Sequence, residues 1–179
     1  MEENMSDIFD KVVSQQDVFK KILEKIPGFK GYFERSDRRA ADKILRELIA
    51  DRFTEQWNRL SAIQKEMIKN GNIEEIDDVE TASIKLRTFV DRVKTAAYGY
   101  AGFFDAIKVN EAELTQLYQF DLTLLNLVDS VVAAIDNLEA SLSTDGFPAA
   151  VRNTVSKAQD CIDSFNKRTE LLKMGQQAQ

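Results

Sequence analysis

The chain has 179 residues, 44% of them hydrophobic and 30% charged, with two prolines, seven glycines, one cysteine and no histidine. That balance supports a packed core and argues against disorder or a loop-rich chain. The missing histidines exclude His-based acid–base chemistry, catalytic triads and His-ligated metals, and a lone cysteine excludes an intrachain disulfide framework or a Cys-rich metal site.

Both prolines and five of the glycines fall where a helical pattern breaks: Pro27, Gly28, Gly31, Gly71, Gly146, Pro148 and Gly175. Glycine and proline are poor in helix interiors, so these positions divide the chain into long helical segments. The first is predicted over residues 6–26, with Ile8, Val12, Phe19, Ile22 and Ile26 on one face and Gln15 filling a gap in it. A link rich in aromatic and basic residues follows over 27–35. The second helix is expected over 36–70, capped by Ser36 or Asp37, because a short side-chain oxygen accepts from a free first-turn N–H. Its face runs through Ala41, Leu45, Leu48 or Ile49, Phe53, Gln56, Leu60, Ile63 and Met67.

The third helix is predicted over 78–109, on Ala82, Leu86, Phe89, Val93, Ala96, Tyr100, Phe103 and Ile107. The fourth, over 111–143, opens with Asn110 and Glu113 at the spacing of a capping box. It carries Leu114, Leu117, Asp121, Leu124, Val128, Val131, Ile135, Leu138 and Leu142. The fifth starts near Pro148 and ends before Gly175, with Val151, Val155, Ala158, Ile162, Phe165, Thr169 and Leu172 as its stripe. Residues 174–179 read as a flexible tail.

Alternating steps of three and four keep one stripe facing its neighbours along a coiled-coil-like bundle, and short connections favour antiparallel neighbours. The expected fold is therefore all-α, a single domain over 1–179. It is an elongated antiparallel bundle of four long helices, over 36–173, with an additional N-terminal helix.

The acidic opening MEENMSDIFD lacks the basic start and apolar run of a secretory signal. The longest uncharged stretch, from Thr95 to Phe104, has 10 residues, where a membrane-spanning helix needs about 20 mostly apolar ones. No bilayer crossing is expected on that count. The cytoplasm is the expected compartment, with the membrane periphery as the alternative.

Few residues point to chemistry. Di-iron bundles need Glu-x-x-His pairs, which cannot exist here. Glu74, Glu75, Asp77 and Asp78 read as a solvated acidic loop, because calcium loops place ligands at fixed alternating positions that these do not match. Cys161 lies beside the fifth stripe with no histidine to activate it, and reads as structural. No catalytic residue, cofactor, metal site or small-molecule substrate is expected. Asp121 is the one acid inside a strict apolar stripe. Burying a charge is costly unless it is paired, so a cation from another helix or a shift toward water is expected. Asp121 would then act as a polar determinant of register, and Gln15 and Gln56 are weaker cases. The run AAYGYAGFF, residues 96–104, carries Gly99 and Gly102 among four rings, which suits close helix packing or a groove.

The charge of −6 disfavours nucleic acid as a partner of the whole molecule, yet it is an uneven average. Nine basic residues lie between Lys20 and Arg46 against Glu24, Glu34, Asp37 and Asp42, a local balance of +5 that leaves −11 elsewhere. Within this island sits IPGFKGYF, residues 26–33. Phe29, Tyr32 and Phe33 are candidate apolar anchors, and Lys30, Arg35, Arg38 and Arg39 candidate contacts to an acidic surface, since aromatics beside arginine are common interface anchors. The competing reading tucks the rings against the bundle end and pairs the bases internally. A protein partner or a second copy is the expected occupant, and anionic lipid the alternative.

The string IPGFKGY followed by RRAAD, Arg38 to Asp42, resembles the opening of a loosely defined group of uncharacterised bacterial helical proteins. The resemblance covers about 20 residues and implies an all-α fold, with no function to transfer.

Overall fold

The structure is a computed structural model that describes residues 17–27, 38–71, 74–96 and 111–177. These residues form five helices and no strand. We label them α1 (residues 17–25), α2 (Arg38–Asn70), α3 (Ile76–Thr95), α4 (Glu111–Ser141) and α5 (Phe147–Gln177). At 1.5 Å per residue, the 33 residues of α2 rise about 50 Å.

Cross-links between the helices fix their order and direction. Asp51 pairs with Lys94, and Trp57 donates to Ser83, so α2 and α3 are antiparallel. Asp121 pairs with Arg168, and Thr154 reaches the Ala134 carbonyl, so α4 and α5 are antiparallel too. Lys85 donates to Gln159 and Arg92 to Asn166, which sets α3 parallel to α5. Arg59 reaches Asp136 and Glu139 from α2, which sits alongside α4. Two helical hairpins thus pack side by side in the spatial order α2, α3, α5, α4, and the α2–α4 seam is the sparsest of the four.

The N-terminal helix α1 lies on that seam. Ile22 and Ile26 join the common core, and the Phe19 ring sits 6.1 Å from that of Tyr118 on α4. The core is otherwise built from the expected stripes: Leu45, Ile49, Phe53, Leu60, Ile63 and Met67 on α2, Ala82, Leu86, Phe89 and Val93 on α3, and Leu124, Val128, Val131, Ile135 and Leu138 on α4. Ile49 rather than Leu48 takes the central place. Phe89 stacks edge-on against both Phe53 and Phe165, which ties three helices through one ring.

Several boundaries differ from expectation. Asp77 and Asp78 stand in the first turn of α3, not in a loop, where their charges complement the helix dipole. Gly175 lies inside α5, which continues to Gln177; a single glycine costs a helix only about 1 kcal/mol. The predicted continuation of the third helix to 109, the AAYGYAGFF residues beyond Ala96, Gln15 and the caps at Ser36, Asp37 and Asn110 lie outside the described residues. On α5 the buried series is Phe147, Val151, Thr154, Ala158, Cys161, Phe165 and Arg168; Val155, Ile162 and Thr169 are half-buried flanks.

The membrane count also needs correction. Tyr118–Ser141 is long and apolar enough to cross a bilayer by length and composition, with a mean hydropathy of 1.2. Counting uncharged runs misses it because single aspartates interrupt the stretch. Within this fold its apolar side faces the other helices, and 44% of the window is buried.

Candidate docking site

The basic island begins on α1 and ends on α2. Lys20 and Lys21 are exposed, as their places opposite Ile22 and Ile26 require. Lys25 turns back to the bundle and pairs with Asp129 of α4 at 2.5 Å. Its backbone carbonyl accepts a 2.6 Å hydrogen bond from the Arg52 guanidinium of α2. The chain breaks immediately afterwards at Pro27.

Phe29, Lys30, Tyr32, Phe33 and Arg35 lie outside the described residues. Arg38 and Arg39 open α2, whose first turn contains no acid. The free N–H groups of a helix start carry roughly half a positive charge, so two arginines there add to a potential the helix already supplies. Lys43 is exposed one turn on, loosely facing Glu47 at 3.8 Å. Arg46 is buried, and its guanidinium points to the Val93 carbonyl of α3 at 3.5 Å.

Among the described island cations, Lys25 and Arg46 therefore have internal contacts, and Lys20, Lys21 and Lys43 face solvent. A net count along the sequence cannot make that separation. Arg52, just beyond the island, was missed because its role depends on a backbone carbonyl 27 residues earlier.

Asp121 is fully buried, and one of its oxygens accepts a 3.0 Å hydrogen bond from Nε of Arg168, itself 1% exposed. Gln56, also buried, accepts from Arg59, whose guanidinium forks onto Asp136 and Glu139. The hydrogen bond to Glu139 is the main cause that raises the Arg59 pKa above its ordinary value; desolvation opposes it, and Asp136 adds to it. Cys161 is buried, its thiol donates to the Lys157 carbonyl at 3.2 Å, and burial pushes its pKa up to about 12.

At the far end of the bundle, a cleft of about 560 Å³ opens between the α2–α3 and α4–α5 turns, beside Glu74, Glu75 and Asp145. Among the described residues no group of acids and cysteine has metal-binding geometry.

Comparison with known proteins returns no match: no protein-family model, no curated protein and no solved structure matches the chain. The resemblance of IPGFKGY and RRAAD is thus not joined by a family match.

Proposed function

We propose that this chain is a noncatalytic binding protein, an adaptor, scaffold or assembly component, that docks an acidic protein surface through the island between Lys20 and Arg46. The observation that carries this reading is the start of α2. Arg38 and Arg39 stand where a helix prefers acids, with none in the first turn, so their placement does nothing for the helix and concentrates positive potential at one end of an acidic molecule. Phe29, Tyr32 and Phe33 supply the apolar anchors, and Lys30, Arg35, Arg38 and Arg39 the charge complementarity.

The α4–α5 surface offers no rival of this kind. Its one conspicuous ion pair is buried, and its thiol is held protonated. A cytoplasmic setting goes with this reading. The same island could instead rest on anionic lipid, and co-sedimentation with phosphatidylserine liposomes at low salt decides between the two. The protein-docking reading expects the chain to stay in the supernatant; quantitative pelleting that is lost in Arg38→Glu/Arg39→Glu would replace it with the lipid reading. Light scattering of wild type and Phe29→Ala/Tyr32→Ala then reports whether the partner is a second copy. A dimer mass that falls to monomer in the variant assigns self-association.

A further inference from the structure

We propose that α1 is a strap, latched across the α2–α4 seam by Lys25 and Asp129, whose release adds cations to the docking island. This rests on the function proposed above and adds a means of regulating it.

Three observations carry the inference. First, α1 has 9 helical residues among those described, too few to hold a helix in water without tertiary support. Its docking is therefore a separate, smaller transition than the unfolding of four helices that pack along their lengths. Second, its polar attachments concentrate at one point. The Lys25–Asp129 pair and the Arg52 bond to the Lys25 carbonyl both occur at the α1 terminus, beside Pro27. The apolar contacts that remain are those of Ile22, Ile26 and Phe19. Third, the latch uses groups that the island would otherwise present. In the docked state Asp129, 65% exposed, neutralises Lys25, and Arg52 is turned inward.

An acidic partner and Asp129 therefore compete for the same ammonium group. A ligand that binds one state better shifts the equilibrium toward it by that difference and no more. An acidic surface favours the undocked strap, and a docked strap weakens the island.

The test uses the full chain and a polyglutamate peptide as the acidic probe at low salt. Asp129→Asn removes the latch charge, and Glu66→Gln, on an exposed site of α2, removes an equal charge elsewhere. The expected result is that Asp129→Asn binds the probe about two- to fivefold more tightly than Glu66→Gln, the scale of one exposed ion pair. Amide exchange over residues 18–26 should also be faster than in wild type, with α3 unchanged. Equal affinities for the two variants would overturn the coupling, as would amides of α1 that exchange only with global unfolding. Failure of the island itself reads differently: Arg38→Glu/Arg39→Glu would then bind polyglutamate as wild type does.

Discussion

Asp121 and Arg168 face one another from stripe positions of α4 and α5, joined at 3.0 Å with neither side chain more than 1% exposed. Removing one partner of a buried pair strands the other in a medium that solvates it poorly, at a cost of about 3–5 kcal/mol. Replacing both by apolar groups avoids that cost. Asp121→Ala and Arg168→Ala are each expected to lower stability to urea by this amount, and Asp121→Leu/Arg168→Met to recover most of it. If the pair also fixes register, the double variant keeps its stability and loses dispersion in its amide NMR spectrum.

Trp57 is the only tryptophan, and its indole N–H donates to Ser83 Oγ across the α2–α3 seam at 3.0 Å, with the Arg87 guanidinium 5.7 Å from the ring centre. Ser83→Ala leaves the buried side of the indole without its acceptor. A loss of about 1 kcal/mol is expected, together with a shift in tryptophan emission that equilibrium unfolding followed by fluorescence records directly.

Ser143 holds φ at +65° in the turn after α4, a left-handed conformation that costs a residue with Cβ roughly 1 kcal/mol and glycine nothing comparable. Thr144 completes the turn by donating to the Ser141 carbonyl and accepting from the Gly146 amide. Ser143→Gly should therefore stabilise the chain by several tenths to about 1 kcal/mol in thermal unfolding, and Ser143→Val should destabilise it.

Burial raises the Cys161 pKa to about 12, against about 8.5 for a free thiol. A group whose pKa is raised by folding contributes stability that is complete below the unfolded value. That stability is lost as pH climbs toward the folded value, at up to about 1.4 kcal/mol per unit. The wild type should lose stability between about pH 8.5 and pH 12 more steeply than Cys161→Ala. At pH 8 its thiol should react with Ellman's reagent only as fast as the fold opens.

Helix α5 shows how far the sequence reaches. Val151, Ala158 and Phe165 are core positions in both the expected stripe and the structure, but the alternate places go to Thr154, Cys161 and Arg168 rather than to Val155, Ile162 and Thr169. Hydrophobicity along one helix favours the second set, since nothing in α5 alone makes a buried arginine reasonable. The clue lies on α4, where Asp121 interrupts a strict stripe and requires a cation. Only when the two stripes are laid antiparallel does Arg168 become that cation. Thr154 is accommodated by its own bond to the Ala150 carbonyl at 2.9 Å. The four long helices were legible because each carries a long periodic signal. The order α2, α3, α5, α4 was not, because it depends on pairs such as Arg92 with Asn166 that no single segment encodes. The island was visible as a charge run, but the inward use of Lys25 and Arg46 depends on Asp129 and Val93, which lie far away in the chain.

The most direct measurement is affinity capture from the source organism at low and moderate salt, with wild type and Arg38→Glu/Arg39→Glu compared at equal helical content by circular dichroism. Docking through the island predicts a protein retained by wild type at low salt, weakened as salt screens the charges, and absent from the variant. The same proteins retained by both chains would contradict it.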